Sequence, residues 1–143
     1  MFGRISADRS GMFDWNQKFR VGIDSIDAQH QQLFAIGREL YDAMASGQGK
    51  AAMGRILDRL VQYTKTHFEH EEGLMRQHGY PDYIKHKKIH ADLTAGVLKF
   101  QSEFKSGEVG MTIDLLEFLR TWLERHIEHE DAAYTPYLRP KVA

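Results

Sequence analysis

Apolar residues recur at intervals of three and four through four stretches of the chain, the spacing of one buried face on an α-helix. In the first stretch Ile26, Leu33, Phe34, Gly37, Leu40, Tyr41 and Met44 share a side. Asp24 or Ser25 is placed to cap its start, and Ser46-Gly47-Gln48-Gly49 is a turn signal at its end. The second carries Met53, Ile56, Leu57, Leu60, Val61, Thr64, Phe68, Leu74 and Met75 and stops at His78-Gly79-Tyr80-Pro81. The third holds Tyr83, Leu93, Val97, Phe100 and Phe104 and stops at Ser106-Gly107. The fourth holds Ile113, Leu115, Leu116, Phe118, Leu119, Trp122, Leu123 and Ile127, and its pattern fades near Asp131. The only prolines are Pro81, Pro136 and Pro140, and no stretch alternates as a strand does. Short links force antiparallel neighbours, so the expected fold is all-α: an up-down-up-down four-helix bundle. An extended N-terminal arm, about 1–24, is expected to be pinned across the bundle by Trp15, Phe19 and Ile23. One domain covers 1–143 on this reading, with the bundle at about 25–131 and a C-terminal tail at about 132–143.

Polar residues interrupt the inward stripes. Tyr83, His86, His90, Leu93, Val97, Phe100 and Phe104 follow one another at steps of three or four, so two histidines a turn apart lie on an apolar line. In the second stretch the line runs Leu60, Thr64, His67, Glu71, Leu74, His78. His30 falls between Ile26 and Leu33, and His126 follows Leu115, Leu119 and Trp122. Burying five imidazoles and a carboxylate costs several kcal/mol unless each is hydrogen-bonded, paired with a charge or bound to metal. One inward histidine is more often a satisfied core residue. Five on facing stripes favour a metal site, which helical bundles build from facing side chains. In antiparallel helices these positions also fall at one axial level. Asp131, five residues beyond His126, lies off the inward face of a regular helix. Spacing alone leaves it open; the side chain turns inward only if the helix ends or bulges between the two.

Composition narrows the chemistry. The 143 residues are 42% hydrophobic and 27% charged, as in ordinary globular chains. With 19 Lys plus Arg against 20 Asp plus Glu, the formal charge is −1, which gives no electrostatic footprint for nucleic acid. There are no cysteines, which excludes disulfides, thiolate-held metals and a cysteine nucleophile, and there are eight histidines. No apolar run is long enough to span a bilayer and the N-terminus lacks a secretory signal core. A cytoplasmic protein without membrane insertion is expected.

Trp15 with Val21-Gly22-Ile23 and Asp27-Ala28-Gln29-His30, then His67-Phe68-Glu69-His70-Glu71-Glu72-Gly73-Leu74-Met75, His86 through His90, and Trp122-Leu123-Glu124-Arg125-His126 through Asp131, resemble the hemerythrin family. The resemblance runs from about Trp15 to Tyr137 and is similar to single-domain bacteriohemerythrins. It implies a four-helix bundle around a non-haem di-iron centre. His86, His90 and His126 would hold one iron, His30 and His67 the other, and Glu71 and Asp131 would bridge them. The family pattern puts Asp131 just past the regular helix, as a ligand. Two octahedral ions need twelve positions. Five imidazoles, two bridging carboxylates and one bridging oxide or hydroxide fill eleven, which leaves one open on the two-histidine iron. One vacancy suits a diatomic ligand.

The implied function is reversible O2 binding, for carriage, storage or delivery to an oxygen-consuming enzyme, by a monomer that is not itself an enzyme, apart from weak oxidase or peroxidase side activity. The alternatives are an O2 or redox sensor acting through a separate partner, since the chain has no room for a signalling domain, and a ferroxidase or peroxide-consuming di-iron enzyme. The histidine-rich shell argues against the last, because substrate-oxidising bundle sites use mostly carboxylates. By resemblance Phe68, Trp122, Leu123 and Ile127 line the O2 pocket; by position alone they are bundle core. His70 and His129 are expected in solvent, His78 at a helix end, and Lys85, Lys87, Lys88, Glu69 and Glu72 on solvated faces. Phe19 stands where many relatives carry tyrosine, and about ten residues precede the motif.

Overall fold

The helices form where the periodicity puts them. The computed structural model describes residues 13–107, 110 and 113–142, so the arm before Phe13 lies outside the described residues. Helix α1 spans Asp24–Ala45, α2 Lys50–Gln77, α3 Tyr83–Ser106 and α4 Ile113–Arg125. A π-helical turn, His126–Asp131, follows, and the rod continues as α5, Ala132–Val142. Helix α1 packs on α2 and α4, and α2 packs on α3. This is an all-α four-helix bundle, with no strand among the described residues.

The end of α2 shows how sequence sets a boundary. Gly79 adopts φ +70°, and Tyr80 N–H donates to the Met75 carbonyl at 2.9 Å. A left-handed residue just past the helix thereby satisfies a carbonyl that would otherwise be orphaned. The start of α1 differs from the expectation. Neither Asp24 nor Ser25 caps it: the cap position is Ile23, whose side chain has no hydrogen-bonding group to offer the helix, and Ser25 Oγ lies 2.9 Å from His70 Nε2. Asp27 anchors the arm instead, from inside the first turn. Its Oδ1 accepts from Val21 N–H at 2.8 Å and its Oδ2 from Gly22 N–H at 3.1 Å. Gly22 is favoured there by its backbone, and the flexible end of Arg139 packs close over it. The glycine φ is +84°, and a Cβ would meet Arg139 Nε at 2.8 Å.

Among the described residues of the arm, from Phe13 onward, the regular structure is a 3-10 turn at Gln17–Phe19, and Phe19 and Ile23 are buried as expected. Trp15 packs edge-on against Phe34, with ring centroids 5.5 Å apart. Phe118 departs from its predicted place on the inward face. It is 65% exposed at the rim of an apolar groove of about 200 Å³ between α3 and α4. The C-terminal segment also departs from the fading pattern: α5 is helical with Pro136 and Pro140 inside it, and buried Tyr134 and Leu138 anchor it.

The core has two parts. One apolar cluster gathers Phe34, Leu40, Leu57, Phe104 and Leu116, and the other Ile23, Ile26, Met75, Tyr80, Tyr134 and Leu138. Along each helix the inward polar residues fall between these clusters: His30 between Ile26 and Phe34, His67 and Glu71 between Leu57 and Met75, His126 and Asp131 between Leu116 and Tyr134. The bundle therefore closes a polar layer between two greasy ends.

Candidate metal centre

All seven residues expected to hold metal are in that layer, and each is at most 4% exposed. They form two groups, each with ligand-capable atoms within 4.8 Å of one another. One is Glu71, His86, His90, His126 and Asp131; the other is His30, His67, Glu71 and Asp131. The carboxylates are common to both. Asp131 Oδ1 lies 3.0 Å from His86 Nε2 and 3.2 Å from His126 Nε2, while its Oδ2 lies 3.1 Å from His30 Nε2. Glu71 Oε1 lies 3.3 Å from both His67 Nε2 and His90 Nε2.

These atoms are close without being satisfied. None of the five Nε2 atoms, Glu71 Oε1 or either Asp131 oxygen makes an aligned hydrogen bond among the described residues. Buried polar atoms are almost always paired, and eight orphans pointing into one space mark a place shaped for something other than the protein's own donors. Imidazole nitrogen with carboxylate oxygen is a donor set for iron and other divalent first-row metals. The residues present fit a two-metal centre.

The far side of the rings supports this. His67 Nδ1 donates to Gln29 Oε1 at 2.6 Å, His90 Nδ1 to Glu72 Oε2 at 2.9 Å and His126 Nδ1 to Glu130 Oε1 at 3.3 Å. Such bonds fix the tautomer and leave Nε2 as the lone-pair donor. Phe68 stacks on His90 with centroids 3.7 Å apart, and Trp122 lies parallel to His126 at 5.5 Å. Tyr134 Oη–H donates to Glu71 Oε2.

The protein's own charges polarise the layer. Burial, the largest influence, lowers the pKa of His30, but the close approach of Asp131 and Glu71 outweighs it and raises the value to about 9. His126 behaves alike, also reaching about 9. Burial wins at His67, which falls to about 4. Burial also pushes both carboxylates up. The surrounding imidazoles overcome this, His126 first for Asp131 and His67 for Glu71, and hold them well below the usual carboxylate range.

Asp131 enters by a bulge, not by an ending. The helix stays intact through His126–Asp131 but widens to π geometry, which brings the fifth residue after His126 back to the same face. The expectation that Asp131 lies past the regular helix is thus replaced: it closes a wide turn inside a continuous rod.

The sequence pattern assigns no role to Gln29, Glu130 or Tyr134, although each reaches a residue of the layer. Glu72 was expected on a solvated face, yet its carboxylate binds His90. The available signal was its place directly after Glu71. His70 was expected in solvent and is instead half-buried against Ser25. His129 is exposed, at the edge of a polar cleft of about 220 Å³ that Tyr80, Asp82, Lys85 and His86 also line. On the other side lies an almost wholly apolar cavity of about 40 Å³. Trp122 and Leu123 line it together with Leu60, Thr64, Val97 and Leu119. Phe68 and Ile127 are buried beside the ligand residues but do not line it.

Comparison with known proteins places the chain in a family and a fold. The model of the hemerythrin HHE cation-binding domain matches residues 21–138. A bacteriohemerythrin from Stenotrophomonas maltophilia is 35% identical over 125 residues, covering 87% of this chain and 80% of that protein. One from Methylococcus capsulatus is 34% identical over 121 residues, covering 85% and 92%. A crystal structure of wild-type hemerythrin matches with a TM-score of 0.83 and 33% identity, covering 88% of this chain and 97% of that one. No helix among the described residues is long and apolar enough to cross a membrane. Since the matched region contains every one of the seven converging side chains, on the same fold, the chain belongs to the hemerythrin family of non-haem iron, oxygen-binding proteins.

Proposed function

We propose that this chain binds O2 reversibly at a di-iron centre, for carriage, storage or delivery. In this reading His86, His90 and His126 hold one iron and His30 and His67 the other. Glu71 and Asp131, common to both groups, would be shared between them, with an oxide or hydroxide completing the centre. The observation that carries it is the pair of ligand groups sharing two carboxylates but differing by one histidine. Equal coordination of both ions then leaves the vacancy on the histidine-poor side. A pair of ferrous ions supplies the two electrons that O2 takes up and gives back. The protein's part is to keep that exchange clean. Five neutral imidazoles cancel less positive charge than carboxylates would, which favours the ferrous state. Phe68 and Trp122 shield His90 and His126. The apolar cavity beside Leu123 suits an apolar gas and repels water and anions, which would otherwise compete for the vacancy.

The test is to load the chain with ferrous iron without air, admit O2, record the visible spectrum, and remove the gas. Return to the starting spectrum over several cycles is expected. Steady peroxide release or substrate turnover would point to an oxidising enzyme instead. The ligand assignment has its own check. His67→Ala is expected to lower iron from two to about one per chain by elemental analysis, because only the two-histidine position loses an imidazole. Retention of both ions would contradict the assignment.

A further inference from the structure

The hydrogen bonds behind the ligand set are unequal. In the three-histidine group, two imidazoles donate to carboxylates, His90 to Glu72 at 2.9 Å and His126 to Glu130 at 3.3 Å. The Glu72 side chain is only 18% exposed, whereas that of Glu130 is 39% exposed. In the two-histidine group, His67 donates to the neutral amide of Gln29, and buried His30 Nδ1 meets no acceptor among the described residues. Glu71 and Asp131 belong to both groups and do not distinguish them.

A carboxylate behind an imidazole draws its N–H proton outward and makes the other ring nitrogen a stronger donor. Its negative charge also favours the more highly charged metal, and water screens that effect little where the pair is buried. An amide offers the first effect weakly and the second not at all. Building on the di-iron reading above, we propose that Glu72, with a smaller part played by Glu130, is a positioning residue that makes the iron of His86, His90 and His126 the easier of the two to oxidise. The two ions then have separate potentials. A one-electron oxidant such as ferricyanide takes the first electron from the three-histidine ferrous ion and is reduced to ferrocyanide. A second equivalent takes the next electron from the ion of His30 and His67. The ion with the vacancy is thereby the last to be lost to stray one-electron oxidation.

The test is an anaerobic redox titration of the iron-loaded chain, read by visible absorption and electron paramagnetic resonance, with iron content measured on each sample. Wild type is expected to give two resolved one-electron steps. Glu72→Gln preserves size and an acceptor oxygen. It is expected to keep two irons while shifting the first ferric-to-ferrous ratio about tenfold, equivalent to about 59 mV upward, and moving the second step less. Gln29→Glu is expected to lower the second step and narrow the gap, and Glu72→Asp to recover part of the lost separation. An unmoved first step in Glu72→Gln with both irons bound would overturn the inference, and so would equal movement of both steps, the sign of general loosening. Should wild type itself bind fewer than two irons, the metal assignment fails first and this inference fails with it.

Discussion

Glu71→Ala is expected to empty both metal positions, not one. Its carboxylate is fully buried and belongs to both ligand groups. Oε1 faces His67 and His90, while Oε2 faces His30 at 3.5 Å and accepts from Tyr134. Removing it takes one ligand from each ion and one of the two carboxylates of the layer. Iron is expected to fall from two to well under one per chain by elemental analysis. The metal-free variant should suffer too, because breaking a buried ionic cluster from one side leaves uncompensated charge, at a cost of about 3–5 kcal/mol. For a chain of this size that lowers the melting temperature on the order of 10 °C. Glu71→Gln separates the two effects. It retains an acceptor for Tyr134 and fills the same space, so it should recover much of the stability but little of the metal. Two irons bound to Glu71→Ala would show that the carboxylate is not shared.

Metal uptake near neutral pH is expected to expel at least two protons per chain, because His30 and His126 hold theirs until pH is about 9 when the metal is stripped, and a bridging hydroxide formed from water would release one more. Titration calorimetry in buffers of different ionisation enthalpy counts them. Iron binding without proton release would mean that His30 and His126 are already neutral in the stripped chain. The same groups shape the stability of the stripped chain. His30 and His126 are raised from 6.5, so their contribution is complete below pH 6.5 and disappears as pH climbs through 9. Each is worth on the order of 3 kcal/mol at most, since both draw on the same carboxylates. Glu71 and Asp131 are depressed from 4.5 and 3.8, so what they add is present above those values and fades in acid. Neutral His67, lowered to about 4, adds stability above pH 6.5 that drains away as pH falls. Thermal melts of the stripped chain should therefore peak near pH 6.5, with losses on both sides. Acid also releases iron from the loaded chain, because protons compete for the same lone pairs.

The fold and six of the seven residues of the polar layer could be read from the sequence because they obey one rule, while Asp131, five residues after His126, does not. Residues at steps of three and four share a face, so His86 and His90 announced themselves by standing on an apolar line. The residues behind them obey no such rule. Glu72 and Gln29 lie on the flanks of their helices, where a carboxylate or amide usually meets water, and only the neighbouring helix decides otherwise. Asp27 failed the capping pattern because it reaches backwards to Val21 and Gly22, against the usual forward sense of a cap. Phe118 kept the periodicity of its helix but lies on the side that the groove leaves uncovered.

The wide turn at His126–Asp131 makes the last rod tolerant of a change in length. It holds one residue more than an ordinary helix would use to join the same two faces, so the surplus is taken up locally and Tyr134 and Leu138 stay in step with the core. A chain shortened by one residue within the turn would regain a plain α-helix with His126 and its aspartate four apart and still on one side. The same loss within Leu116–Arg125 would swing His126 away from its neighbours by the full angle of a helical step. The slack sits beside the ligands, where a small error in register would do most harm.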